Sequence, residues 1–130
     1  MRNNKYGAKK CQYNGIVFDS KREMQRYQEL LLLQRAGEIK DLELQKKYLL
    51  IPAQEDPDAP VTYYTRGEKK GQPKPRKILE APCTYIADFV YYDVRKNETV
   101  VEDAKGMRLK EYKIKRKLML YVHKIKIREV

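Results

Sequence analysis

Residues 85–107 constrain the fold of this chain more than any other stretch. They read YIADFVYYDVRKNETVVEDAKGM, which is two apolar, β-rich runs on either side of a polar segment, residues 95–98. That pattern predicts an antiparallel hairpin. If the four polar residues close it as a loop, Val94 lies opposite Thr99.

The predicted register gathers charged side chains on one face. It places Asp88 opposite Lys105 and Val90 opposite Asp103, and residues opposite each other project to the same face. Two carboxylates and an ammonium then meet on one patch, which is costly on a core-facing surface unless the groups pair or bind a metal. Oxygen ligands suit Mg²⁺ or Mn²⁺. Glu102 projects to the opposite face and would replace Asp103 only if a bulge shifted the register by one residue.

A helix is predicted ahead of this hairpin. Asp19 or Ser20 can cap its start, and Ser20 forms an S-x-x-E capping box with Glu23. The helix runs to about Ala36 and stops at Gly37, a residue typical of the position after a helix end. Its apolar stripe consists of Met24, Tyr27, Leu30 and Leu31. Glu23 lies on the edge of that stripe, so its spacing leaves two roles open, a capping residue only or a carboxylate that points toward the sheet.

The middle of the chain differs in composition. A strand is predicted from about Gln45 to residue 51 and ends at Pro52. All six prolines lie in residues 52–83, which we interpret as an insertion between core strands. Residues 61–65 and 77–80 of this insertion have the composition of two short strands that can pair as a hairpin. Its cations suit phosphate contacts or simply a solvated loop, and the candidates for DNA contact are Arg66, Lys69 and Lys70.

A second helix is predicted over residues 109–123, followed by an edge strand over residues 124–130. The helix has two apolar rows, Leu109/Tyr112/Arg116/Met119 and Ile114/Leu118/Tyr121/Val122. Its first half also carries a run of lysines, which we expect to bind a DNA backbone: Lys110, Lys113, Lys115 and Lys117. The element order helix, strand, two hairpin strands, helix, strand predicts an α+β or α/β fold with a mixed sheet.

Length and charge set further bounds. A chain of 130 residues predicts one domain, with residues 1–12 as a basic arm. A net charge of +11 favours a polyanionic partner, either nucleic acid or an anionic membrane surface. No apolar run reaches the ~18 residues of a membrane-spanning helix, and the basic start lacks the apolar stretch of a secretory signal. Cys11 and Cys83 are expected to be free thiols in a reducing, cytoplasmic compartment.

Four pieces of the sequence resemble the PD-(D/E)XK nucleases, in the order that family has them. They are residues 18–23 (FDSKRE), 41–45 (DLELQ), 85–89 (YIADF) and 101–107 (VEDAKGM). The longer strings are similar to those of small phage-encoded endonucleases described as Holliday-junction-resolvase-like. One departure is Ala87, where the family often has a proline before its first aspartate.

The resemblance implies an αβββαβ (restriction-endonuclease-like) core and hydrolysis of DNA phosphodiester bonds. Asp88 and Asp103 would hold Mg²⁺ or Mn²⁺ with the carbonyl of Ala104, Glu23 would assist the metal or a water, and Lys105 would orient or deprotonate that water. Gln45 also matches the family pattern. The resemblance further implies branched, Holliday-junction or flap DNA as substrate, a homodimer, no membrane partner, and the cytoplasm of a bacterial or phage-infected cell. A non-catalytic nucleic-acid-binding module and an RNA-directed nuclease remain alternatives.

Overall fold

The computed structural model describes residues 10–104 and 108–130. The chain divides into two compact units. The first combines Met1–Tyr48 with Tyr85–Val130, and the second is Leu49–Thr84. The elements in chain order are β1 (Cys11–Tyr13), β2 (Ile16–Phe18), α1 (Lys21–Arg35), β3 (Ile39–Ile51), β4 (Gln54–Glu55), β5 (Ile78–Glu80), β6 (Cys83–Asp93), β7 (Glu98–Asp103), α2 (Lys110–Leu118) with a π-helical turn (Met119–His123), and β8 (Arg128–Glu129).

The main sheet has four strands in the order β3-β6-β7-β8. Strands β6 and β7 are antiparallel, whereas β7 and β8 are parallel, so the sheet is mixed. The predicted α/β class with a mixed sheet and two helices is confirmed. Among the described residues, no helix is long and apolar enough to cross a membrane.

Helix α1 begins and ends as its sequence predicts. The Ser20 hydroxyl accepts a hydrogen bond from the Glu23 amide at 3.1 Å, which satisfies one of the first-turn donors. Gly37 has a φ of +81°, a conformation that favours glycine, and its amide donates to the Gln34 carbonyl. The helix buries Tyr27 and Leu30 in a core with Phe18, Ile39, Phe89, Tyr91, Val100 and Ala104. Each large apolar side chain buried there contributes roughly 1.5–3 kcal/mol.

The β6–β7 hairpin forms, but its predicted register is wrong by two residues. Tyr92, not Val94, lies opposite Thr99, and Val90 lies opposite Val101 instead of Asp103. The cause is the loop, which spans residues 94–97 and not 95–98. Asp93 Oδ1 accepts a hydrogen bond from the Lys96 amide at 3.0 Å, and Asn97 adopts a φ of +56°, which asparagine tolerates. A shift of two keeps every side chain on its predicted face.

Three other predictions differ from the structure. The edge strand predicted over residues 124–130 is limited to β8, because Lys124 ends the π-helical turn with a φ of +59° and the strand begins at Arg128. Strand β3 starts at Ile39, six residues before the predicted start at Gln45, because Leu42 and Leu44 also pack against the core. Helix α2 buries Tyr112, and the π-helical turn buries Met119, both of the first predicted row. The second row is wrong, since Ile114, Tyr121 and Val122 are exposed. The side that carries Tyr112 and Met119 is therefore the buried one, and the π-helical turn alters the period after Leu118.

The Leu49–Thr84 unit contains two antiparallel pairings. The predicted pairing of residues 77–80 with residues 61–65 is wrong, because β5 pairs with β4 instead. Residues 62–64 instead bond to residues 72–74: the Tyr64 amide donates to Gln72 O at 3.0 Å and the Lys74 amide to Thr62 O at 2.7 Å. Gly67 and Gly71 have φ values of +80° and +86° in the turn between them, so local turn chemistry overrides the longer-range pairing.

Candidate active site

A polar group joins three segments of the first unit. Gln45 of β3 donates its side-chain amide to Glu23 Oε1 at 3.1 Å and to Asp88 Oδ1 at 3.4 Å. Glu23 belongs to α1 and Asp88 to β6, and these two carboxylates are only 6% and 5% exposed. We call Glu23, Gln45 and Asp88 the carboxylate bridge. Two buried carboxylates this close together repel each other unless a donor or a cation lies between them.

The backbone of Gln45 is unusual for a residue within a strand. Its φ is +54°, in the left-handed region that residues other than glycine rarely adopt. Such a conformation costs on the order of 1 kcal/mol and persists only where surrounding contacts enforce it. Gln45 is therefore held in a strained conformation at the point where its amide reaches both carboxylates.

Asp88 is also tied to the end of β7. Its Oδ2 accepts a hydrogen bond from the amide of Ala104 at 2.9 Å, and both groups are buried. The predicted backbone ligand, Ala104, and the predicted carboxylate, Asp88, thus lie next to each other. This contact depends on the observed register, because it brings the end of β7 level with Asp88.

Asp103 has a different environment. It is fully buried, and the Tyr85 hydroxyl donates to its Oδ2 at 2.7 Å. Burial raises the pKa of Tyr85 well above its ordinary value, and the hydrogen bond to Asp103 raises it further, so Tyr85 is a neutral donor at neutral pH. Burial, and then the charge of Asp103, also raises the pKa of Tyr112. Asp103 is therefore packed among tyrosines.

Glu102 is engaged on the opposite face of β7. It is fully buried, and the Arg26 guanidinium binds both of its carboxylate oxygens at 2.8 Å. Tyr91 also donates to Glu102, and burial together with this bond raises the pKa of Tyr91 to about 12. The hydrogen bond to Glu102 raises the pKa of Arg26 above its already high value. The bulge that would exchange Glu102 with Asp103 is absent from the described β6–β7 pairing.

Sequence reasoning missed Arg26, Tyr85 and Tyr91. Arg26 had one available signal, because it follows Glu23 by three residues and so lies one turn along the same side of α1. The two tyrosines carry no such signal, since they occur in a strand where tyrosine is an ordinary core residue.

The predicted DNA-contacting cations fall into three groups. Lys110, Lys113 and Lys117 are exposed and follow one side of α2, at spacings of three and four residues. Lys115 lies elsewhere on the helix, where its ammonium is 3.2 Å from Glu111. Arg66, Lys69 and Lys70 are exposed in the Leu49–Thr84 unit. Lys105, the predicted catalytic lysine, lies outside the described residues.

The donor set of the carboxylate bridge fits a small divalent cation. Mg²⁺ is usually bound through one or two carboxylates and retains several waters. Glu23 and Asp88 supply two carboxylates, Gln45 an amide whose oxygen and nitrogen are interchangeable by rotation, and Ala104 a neighbouring backbone group. Within residues 10–104 and 108–130, no three His, Cys, Asp or Glu side chains are grouped to hold a metal. Any ion here would therefore rely on water and amide oxygens for its remaining ligands.

Comparison with known proteins gives a family but no activity. The model of the family described as Protein of unknown function (DUF1064) matches residues 3–129. No curated protein matches this chain, and no solved structure does.

Proposed function

The chain belongs to the family described as Protein of unknown function (DUF1064), and from its carboxylate bridge we propose that it is a metal-dependent endonuclease that hydrolyses phosphodiester bonds in DNA. The observation that carries the proposal is the joining of Glu23 and Asp88, both buried, through the Gln45 amide. A chain with a net charge of +11 attracts a polyanion, and a protein that only bound phosphates would gain nothing from carboxylates held together against their repulsion.

Each residue of the bridge, and each of residues 103–105 after it, has a proposed role. Asp88 and Glu23 would hold Mg²⁺ or Mn²⁺, with Gln45 and the Ala104 carbonyl as further oxygen donors. Such an ion would supply Lewis-acid activation of a water and stabilisation of charge on the phosphate. Asp103, by its position at the end of β7, completes the acidic set or fixes that strand end through Tyr85. Lys105 orients the water or takes up its proton.

We propose further that the fold is that of the PD-(D/E)XK nucleases. Leaving aside the Leu49–Thr84 unit and the first hairpin, the elements follow the order α1, β3, β6, β7, α2, β8. This order supports the αβββαβ core, as does the parallel pairing of β8 with β7 at the sheet edge. By the same resemblance, branched or flapped DNA is the proposed substrate.

A cleavage assay tests the proposal. Labelled duplex, flap and four-way-junction DNA are incubated with the protein in Mg²⁺ or in EDTA. We expect metal-dependent cleavage by the wild type, and its loss, by a factor of at least about 10², in Asp88→Asn and Asp103→Asn. Both variants should still bind DNA, because each loses only a negative charge. Asp41→Asn is the matched control, since it makes the same chemical change at an exposed position of β3.

Two outcomes would reject the proposal. One is cleavage by Asp88→Asn at the wild-type rate in Mg²⁺. The other is tight DNA binding without cleavage of any of the three substrates in Mg²⁺ or Mn²⁺, which would favour a non-catalytic binding module. A separate readout is thermal unfolding, because an ion that binds only the folded protein raises its midpoint. Mg²⁺ should raise the midpoint of the wild type more than that of Asp88→Asn.

A further inference from the structure

We infer that the hairpin formed by residues 62–74 binds unpaired nucleotides of a nucleic acid strand, with Tyr63 as the surface on which a base stacks. That this binding helps to select the substrate rests on the proposed function, whereas the binding itself can be measured without cleavage. The hairpin is ordered by its own hydrogen bonds, is rich in cations and carries an exposed aromatic ring.

The hairpin is held by its own backbone. The hydrogen bonds from the Tyr64 and Lys74 amides are joined by one from the Gly71 amide to Tyr64 O at 2.9 Å. Two more close the turn, from the Lys70 amide to Gly67 O and from the Gln72 amide to Lys69 O. A binding element that is ordered in this way has little conformational entropy left to lose when a ligand binds.

Cations concentrate at this end of the Leu49–Thr84 unit. Residues 66–77 contain six Lys or Arg residues and one acidic residue, Glu68, while the other carboxylates of the unit lie at residues 55, 56, 58 and 80. None of these six cations forms an ion pair with a carboxylate in the described part of the chain. On α2, by contrast, Lys115 and Arg116 are paired with Glu111 and Glu129. The hairpin therefore presents uncompensated positive charge.

Tyr64 organises part of that charge. The ammonium groups of Lys69 and Lys74 both lie over its ring, at 5.7 and 5.6 Å from the ring centre. These cation–π contacts hold a lysine of the turn and a lysine of the returning segment at the same ring. Two ammonium groups kept close by one ring form a suitable contact for successive phosphates.

Tyr63 is an exposed ring of the same hairpin, on the opposite face from the Lys69 and Lys74 contacts with Tyr64. It is 55% exposed, and adjacent residues of an extended segment project to opposite sides, so its ring lies on the other side of the strand from that of Tyr64. A cationic backbone track with a neighbouring aromatic platform is the arrangement by which proteins bind single strands without reading sequence. Bases paired inside a duplex cannot offer a free face to such a ring, so the ligand contains unpaired nucleotides.

The test is fluorescence anisotropy with a labelled dT₁₂ strand and a blunt duplex, in Ca²⁺ so that cleavage does not interfere. Tyr63→Ala should weaken binding of dT₁₂ about tenfold and binding of the duplex by less than about twofold. Tyr63→Phe should bind like the wild type, because it keeps the ring. Val61→Ala, at another exposed position near the start of this segment, is the matched control and should have no effect.

Three results would overturn the inference. The first is that Tyr63→Ala loses the same affinity for dT₁₂ and for duplex, and the second is that it loses no affinity for dT₁₂. The third is that Tyr63→Ala weakens the binding of heparin, measured by competition, as much as it weakens the binding of dT₁₂. The last would identify a general polyanion site. Because Asp88→Asn retains this hairpin, its affinity for dT₁₂ should equal that of the wild type. The cleavage assay therefore tests the nuclease proposal, and the affinity for dT₁₂ tests the hairpin.

Discussion

At the scale of single residues, the two adjacent acids at the end of β7 have separate tasks. Glu102 receives a guanidinium and a tyrosine hydroxyl, and Asp103 receives a tyrosine hydroxyl on the other face. Arg26, which binds Glu102, is one turn from Glu23 on α1. The Arg26–Glu102 pair therefore fixes the helix that carries Glu23 against the strand that ends at Asp103.

Glu102→Gln should lower the free energy of unfolding by about 2–3 kcal/mol, as measured by urea denaturation. The reason is that a neutral amide removes the buried counter-charge of Arg26, which is 17% exposed, and leaves it paired with the solvent-exposed Glu29. Cleavage should nevertheless survive at a temperature where the variant is folded, in contrast to Asp103→Asn.

Glu29→Gln is the control for this change. Glu29 binds the same guanidinium at 2.7 Å but is 62% exposed, so its loss should cost less than about 0.5 kcal/mol. If the two variants were equally stable, the Arg26–Glu102 pair would not stabilise the fold.

Residue chemistry was predictable from the sequence only where it is local. The Ser20 cap and the face of Glu102 follow from spacing within a single element. The partners Gln45–Asp88 and Arg26–Glu102 lie 43 and 76 residues apart, so they depend on how α1 and β3 lie on β6 and β7. No periodicity in one element contains that information.

At the scale of elements, the hairpin shows what pattern reasoning can and cannot determine. Its two strands follow from their β-rich alternation, but its register depends on whether Val94 or Glu98 belongs to the loop. The Asp93 carboxylate decides this by accepting the Lys96 amide. The same limitation applies to α2, where two apolar rows are present in the sequence but only one is buried.

The exposed side of α2 gives a prediction at this scale. Lys113→Ala with Lys117→Ala should reduce affinity for duplex, flap and junction DNA alike, by roughly five- to tenfold for each phosphate that is no longer neutralised at about 0.1 M salt. The reductions should match because lysine is a flexible point charge that reads the backbone and not the bases. Dissociation constants for the three DNAs at fixed salt provide the measurement.

Lys115→Ala is the internal control, since this lysine is already paired with Glu111 on another side of the helix. Its affinity should stay within about twofold of the wild type. If the double variant lost affinity for junctions but kept its affinity for duplex and flap DNA, this helix would recognise DNA shape.

At the scale of the whole molecule, charge is distributed over both compact units. Exposed cations occur on α2 and in residues 66–77, while the buried carboxylates belong to the unit that contains α1 and β6. The number of phosphates neutralised is therefore a property of the whole chain. It can be measured without knowing how the units are arranged.

DNA affinity should fall steeply as salt rises. The proposed contacts are Lys110, Lys113, Lys117, Arg66, Lys69 and Lys70, and four to six of them acting on duplex DNA give a slope of log K against log salt of about −4 to −5. Anisotropy in Ca²⁺ measures this slope. In Lys113→Ala with Lys117→Ala its magnitude should fall by about 1.8, because each phosphate contributes about 0.9. A wild-type slope near zero would remove nucleic acid as the main partner, and an unchanged slope in the double variant would place the contacts away from α2.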